Sequence, residues 1–179
     1  LDEVLERVVT NAVRLTNLGF GDITLSTEGG SILEFDDETN SFHVRGRYGS
    51  SPALWDRLRD IVIDSTSSLI GRSALADEPL EIPDLSAVDR DEFLDTVFSD
   101  GWRSVLAVPM IVGEQMIGVL VIRRRGTGDF PPDVTELLET FAGQSALAIV
   151  NARLYRELET QSRELEIASN HKSEFLASM

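Results

Sequence analysis

Between Ser104 and Arg125 the chain reads SVLAVPMIVGEQMIGVLVIRRR, with apolar runs from Val105 to Val112 and from Met116 to Ile122 on either side of Gly113, Glu114 and Gln115. Apolar runs of this length joined by so short a polar break predict an antiparallel hairpin. Neither run alternates cleanly with polar residues, so each strand needs cover on both sides. The hairpin is therefore expected at the centre of a sheet, with other elements packed above and below it. Pro109 has no N–H to give to a ladder, and a bulge or an unpaired donor position is expected there.

The other elements follow from the same patterning. Leu1, Val4, Leu5, Val8, Val9, Ala12 and Val13 recur at helical spacing between Asp2, Glu3, Glu6 and Arg7, which predicts an amphipathic helix ended by Asn17 to Gly21. Ile23 and Leu25 hint at a short strand before the Thr27 to Gly30 loop. Gly30 to Asp36 and Ser41 to Gly49 predict a second hairpin around Asp37, Glu38, Thr39 and Asn40. Strict alternation in its later strand sets Phe42, Val44 and Tyr48 on one face and His43, Arg45 and Arg47 on a wet one. Three short segments are expected next: a helix from Ser51 to Ile61, capped by Ser50 or Ser51, with Pro52 in its first turn and Leu54, Trp55, Leu58 and Ile61 inward, a capped helix or turn from Ser65 to Ala76, and a helix from Asp89 to Asp100 with Phe93, Val97 and Phe98 on one side. Glu78 to Leu85 reads as a short strand.

No proline follows Asp133, and the last helix is expected to run from Pro132 to the end, with Val134, Leu137, Leu138, Phe141, Ala148 and Tyr155 inward. Past Asn151 the period changes. Leu158, Leu165, Lys172 and Met179 repeat as in a heptad, interleaved with Tyr155, Ser162, Ser169 and Leu176. A seam interrupted by Ser162, Ser169 and Lys172 predicts a weak coiled coil, a connector that cannot bury its stripe alone. The expected division is a domain over residues 1–150 and a connector over residues 151–179.

Composition narrows the function. In 179 residues there are 16 Lys and Arg against 31 Asp and Glu, a formal charge of -15, and such a surface repels phosphate backbones, which argues against nucleic acid as a partner. The chain has no cysteine, so disulfides, thiolate metal sites and cysteine nucleophiles are all excluded, and a reducing cytoplasm suits it. No apolar run approaches membrane-spanning length. Hydrophobic residues make up 42%, enough for a core in a domain of this size, which buries roughly 70% of its unfolded surface.

The order helix, hairpin, short helices with short strands, central hairpin and long exit helix resembles a GAF domain, a sensing and signalling module related to PAS domains. Three stretches carry the resemblance: LIGRSALADEPLEIPDLS from Leu69, GWRSVLAVPMIVGEQMIGVLVIRR from Gly101, and LLETFAGQSALAIVNARLYREL from Leu137. It implies an α+β fold of PAS-like type, with a central antiparallel sheet, the N- and C-terminal helices on one face and short helices and loops over a pocket on the other. The tail SNHKSEFLASM from Ser169 resembles the opening of the dimerisation and phosphoacceptor helix of sensor histidine kinases. That resemblance implies a parent kinase with a response regulator as partner, and a homodimer through the N- and C-terminal helices in which Tyr155, Leu158, Leu165, Leu176 and Met179 lie on the signalling helix. His171 matches a position before the phosphoacceptor motif, and nothing here resembles an ATP-binding kinase domain, so no kinase activity is expected of this chain. Asn17 to Gly30 is longer than the family's usual link and is expected to form an extra strand, a lid or a surface loop.

Several family chemistries are set aside on residues. Covalent bilin and sulfoxide reduction need cysteine. The Asn-Lys-Phe-Asp-Glu constellation of cyclic-nucleotide binders is not recognisable. His43 could ligate haem iron, but alternation places it with Arg45 and Arg47 on the polar face, where a solvated histidine is the simpler reading. The acids at Asp36 to Glu38 and Asp89 to Asp95 lack calcium-loop spacing and are expected to form a turn and a solvated helix face. Arg123 to Arg125 could grip an anion, although a basic strand end beside so many acids is expected to be solvated. The family's geometry selects Leu33, Trp55, Leu69, Ile82, Asp84, Phe98, Trp102 and Val119 as candidate lining of a small-molecule pocket, its ligand unidentified. The alternative is that the aromatics Tyr48, Trp55, Phe93, Phe98 and Trp102 fill that space themselves, leaving a ligand-free dimerisation spacer; separately, the output domain could be a cyclase rather than a kinase.

Overall fold

The computed structural model describes residues 2–17 and 27–179. Among the described residues, four helices of ordinary length, one very long helix and six strands follow in the order α1 (Asp2–Asn17), β1 (Gly29–Asp36), β2 (Ser41–Tyr48), α2 (Pro52–Leu58), β3 (Val62–Asp64), α3 (Leu69–Leu75), β4 (Leu80–Ile82), α4 (Glu92–Ser99), β5 (Ser104–Val112), β6 (Gln115–Arg124) and α5 (Pro132–Ser178), with a 3-10 turn at Leu85–Ala87. The strands form one sheet in the order β3-β2-β1-β6-β5-β4, antiparallel at every pairing. The Ile23 and Leu25 strand lies outside the described residues. Its flanks are tied together, with the Asn17 side chain donating to the Thr27 carbonyl at 2.7 Å and accepting from the Thr27 N–H at 2.8 Å.

The apolar hairpin is covered on both faces, as its sequence requires. Leu106, Val108 and Met110 of β5 and Leu120 and Ile122 of β6 join α1 and α5 in one core, while Val105, Ala107, Val119 and Val121 join α2, α3 and α4 in the other. Alternation along two wholly apolar strands thus feeds two cores at once. The turn is two residues long, and Gly113 supplies its φ of 63°, the left-handed geometry that glycine adopts freely. Pro109 pairs with Val119, and the irregularity falls one step later, between Met110 and Ile111. Pro109 also lies past the end of β4, whose pairing with β5 stops at Ala107. Gly118, next to this bulge, brings β6 so near β1 that a Cβ there would lie 2.1 Å from the Leu33 carbonyl oxygen.

Two expectations are corrected. Strict alternation fails in β2 because Ile32 pairs with Gly46 and Leu33 with Val44, leaving Arg45 as an extra residue. A bulge reverses the parity beyond it, so Tyr48 packs on the core under α1 while Phe42 and Val44 face the other core. In α5 the buried stripe is Val134, Leu138, Ala142, Ser145, Ala146 and Ile149. Ala148 and Tyr155 are both exposed rather than inward. Strand β3 had no clear sequence signal, since only Ile63 of its three residues is buried.

The Ser51 cap agrees with the sequence, while the caps of α3 and α4 fall at Ser68 and Asp91, inside the segments expected from Ser65 and Asp89. Ser51 accepts from the Leu54 N–H with Pro52 at the helix start, Ser68 accepts from the Gly71 N–H, and Asp91 accepts from the Leu94 N–H, each satisfying a donor that the first helical turn leaves free.

Candidate functional site

The face of the sheet under α2, α3 and α4 holds seven of the eight candidate pocket residues. Leu33, Ile82, Trp102 and Val119 are buried within its core, and Trp55, Leu69 and Phe98 are half-buried against it. Asp84 sits at the edge instead, where Oδ1 accepts from the Ser86 hydroxyl and N–H at 2.7 and 2.9 Å and starts the 3-10 turn. Those bonds hold its carboxyl below the usual range. Four surface depressions are described: Leu69 lines one with Ser67, Arg72 and Val88, and Trp55 lines another with Val44, Arg45 and Arg59. Leu33, Ile82, Trp102 and Val119 line none of these four.

The polar chemistry of this face gathers at one end of the sheet. Arg123, at the end of β6, is fully buried, which overturns the expectation of a solvated strand end for this residue. Its Nη2 donates to the Gly30 carbonyl at 3.1 Å and the Ser50 hydroxyl at 2.9 Å. Its Nε and Nη1 have no hydrogen-bond partner among the described residues. Burial pulls its pKa down to about 10, with Asp100 opposing and Arg125 adding to that fall, so the side chain stays charged at neutral pH. The guanidiniums of Arg123 and Arg125 lie 5.1 and 4.4 Å from the ring centre of Trp102, and Arg47 lies 4.8 Å from that of Trp55, attractive contacts for a cation over an aromatic face. The buried Trp102 Nε1, Ser31 Oγ and Arg47 Nη1 also lack partners among the described residues.

Sequence reasoning missed Arg47, Ser31 and the burial of Arg123. Arg47 was misplaced by the β2 bulge. Ser31 had no signal of its own. Arg123 did carry one, since it continues the Val119, Val121 side of a strand that is buried throughout.

The second feature with functional content is the exit of α5. From Leu154 to Met179 every residue is exposed, a projection of about 40 Å at 1.5 Å per residue. Leu158, Leu165 and Met179 are 61, 71 and 85% exposed. Tyr155 and Leu176 are exposed too, and so are Leu147, Leu154 and Phe175, which the sequence reading left out even though they share a seven-residue spacing. At the root of this projection Glu34 of β1 accepts from Arg153 of α5 and pairs with Arg45 at 3.2 Å, tying the helix to the first hairpin.

The GAF domain family matches residues 1–149. The chain belongs to that family. Solved structures of similar fold include the GAF domain/HD domain protein of Geobacter sulfurreducens, at 20% identity and a TM-score of 0.67 over 84% of this chain and 94% of that one. Another is a domain of a putative two-component sensor histidine kinase of Sinorhizobium meliloti 1021, at 16% identity and 0.67 over 89% and 96%. A third is the second GAF domain of DevS from Mycobacterium smegmatis, at 21% identity and 0.64 over 87% and 97%. No curated protein matches the chain. This GAF domain thus carries its terminal helices on one face and the short helices on the other, with the basic cluster under the latter.

Among the described residues, no helix is long and apolar enough to cross a membrane. His43 is half-buried rather than fully solvated, its ring 3.2 Å from the Ser41 hydroxyl and 3.9 Å from Asp36. The Asp36 to Glu38 acids form a turn in which Asp36 Oδ1 accepts from the Glu38 N–H at 2.9 Å. Asp95 pairs with Arg90 at 3.2 Å.

Proposed function

We propose that this GAF domain is the sensory module of a cytoplasmic, dimeric sensor histidine kinase. In this reading a small molecule or partner changes packing on the α2–α3–α4 face, the sheet passes the change to α1 and α5, and the exposed part of α5 carries it to a kinase domain of the same polypeptide. A response regulator would then receive the phosphoryl group. The observation that carries the reading is the continuous α5, rooted in one core and leaving the domain with its apolar positions uncovered. The kinase context rests on the SNHKSEFLASM resemblance alone.

Within that helix the exposed apolar residues favour a seam. Leu147, Leu154, Leu158, Leu165, Ala168, Phe175 and Met179 follow alternating steps of three and four residues, with Asn151, Gln161 and Lys172 as its polar members. That spacing is the one two parallel helices bury, and a polar residue in such a seam fixes register at some cost in stability. Tyr155 and Leu176 flank it. A signal reaches the kinase only if the ligand binds the two arrangements of the seam unequally.

The test is Leu158→Glu. The molar mass from light scattering should fall from dimer to monomer while the circular dichroism of the GAF core stays unchanged, and an unchanged mass counts against the dimeric helix. The second reading, a spacer without ligand, is favoured by the burial of Leu33, Ile82, Trp102 and Val119 in a filled core.

A further inference from the structure

One end of the α2–α3–α4 face holds a buried cation with no anion beside it among the described residues. Arg123 is wholly removed from solvent, and its hydrogen-bond acceptors among the described residues are a neutral carbonyl and a neutral hydroxyl. No carboxylate lies within ion-pair distance of it among the described residues, and Asp100, the acid that acts on it at longer range, is paired with Arg57 at 3.6 Å. An uncompensated buried charge is among the most costly arrangements in a folded protein. Nor is Arg123 alone. Arg47 is opposite Ser31, Ser31 is opposite Val121, and Arg123 is opposite Gly29, so Arg47, Ser31 and Arg123 occupy neighbouring positions on one face of the sheet. The unmatched groups there are Arg123 Nε and Nη1, Arg47 Nη1, Trp102 Nε1 and Ser31 Oγ. All but the serine hydroxyl can only donate. In a chain of net charge -15, a buried cluster made of donors and positive charge is the reverse of what the surface presents.

We infer that this end of the α2–α3–α4 face is the binding site for a small carboxylate, whose oxygens accept from Arg123, Trp102 Nε1 and Ser31, with Arg47 as the second cation. One negative charge balances Arg123. Two oxygens with several lone pairs suit donors that come from three different strands and a loop. The Trp102 ring packs against Gly29, where a Cβ would lie 2.5 Å from its Cη2, and none of the four depressions reaches the cluster, so the occupant is a small organic acid admitted by a shift of the Trp102 ring, with its tail against the Trp102 and Trp55 rings. The inference rests on the proposal that this face receives a ligand, and it adds the ligand's chemical class.

The probe is sodium acetate, titrated against sodium chloride at constant ionic strength, with tryptophan fluorescence and melting temperature as readouts. Trp55 and Trp102 are the two tryptophans of the chain, and both adjoin the cluster. The expected result is a saturable fluorescence change and a melting temperature that rises with acetate beyond the chloride control. Arg123→Met should abolish both. Should that variant fail to fold, Trp102→Phe and Ser31→Ala each remove one neutral donor from the cluster, and the acetate affinity should fall about tenfold or more in each, the worth of a hydrogen bond to a charged group. An acetate response that is absent from the wild-type chain, or that survives unchanged in these variants, overturns the site. Asp100→Asn separates the remaining possibility: a response that appears only in that variant means Asp100 is the internal counter-ion and overturns the inference. Failure of the signalling proposal looks different, since acetate would then bind and depend on Arg123 while the packing of α5 stayed the same.

Discussion

Asp64 gathers four donors on one carboxylate oxygen: the N–H and hydroxyl of Thr66 at 2.9 and 2.8 Å and those of Ser67 at 2.7 and 2.8 Å. The Ser67 and Thr66 bonds hold its pKa down to about 2. A carboxyl whose folded pKa is depressed adds stability above its unfolded value, near 4, and loses it as pH falls through the folded one. The Asp64 turn should therefore weaken between about pH 4 and about pH 2, and carboxyl chemical shifts followed by NMR should show a midpoint well below that of a free aspartate. Asp64→Asn should flatten that part of the stability profile. The filled core beneath α2 makes a separate prediction. Leu33 is wholly buried, and Leu33→Ala should cost about 2–5 kcal/mol in urea unfolding if its neighbours are packed against it. A loss below about 1 kcal/mol would mean that this side has slack for a ligand without rearrangement. Residues such as Leu33 and Val119 were legible in the sequence, because an apolar residue in an apolar strand has few other places to be. Ser31 and Arg47 were not, because a hydroxyl or a guanidinium reads as solvent-facing until the strand's parity is known.

At the scale of elements, the hairpins, the Ser51 cap and the extent of α5 were readable, because proline, glycine and serine mark ends through local chemistry. What failed was phase. One extra residue, Arg45, moves Tyr48 to the opposite core, and no local pattern announces a bulge. In α5 the helix carries two stripes that differ in phase, one buried through Ile149 and one exposed from Leu147 onward. Reading both as one stripe put Ala148 and Tyr155 inward. The two stripes meet where Arg153 and Arg45 share Glu34. Glu34→Ala should cost only about 0.2–1 kcal/mol, since such part-exposed pairs are weak. It should nevertheless raise amide exchange in α5 around Arg153 more than in α1, because that pair fixes the helix to the sheet. Equal change in both helices would deny Glu34 that part.

For the molecule as a whole, the sheet is a partition between two cores: one is continuous with the helix that leaves the domain, and the other ends in a buried basic cluster. That arrangement suits a module in which an event on one face is read out on the other, and the family match over residues 1–149 places the chain among GAF domains. The proposed route of the signal depends most on α5 pairing with a second copy along the seam from Leu147 to Met179. The absence of cysteine makes this directly measurable: single cysteines placed in turn from Asn151 to Leu176 are oxidised and the fraction of disulfide-linked dimer is recorded. A bridge needs Cα atoms about 4.4–6.8 Å apart, so cross-linking should peak at Leu154, Leu158, Leu165 and Phe175 and be low at Arg156 and Arg163 on the outer side. Uniformly low cross-linking, or maxima at Arg156 and Arg163, would contradict the paired helix and with it the proposed route of the signal.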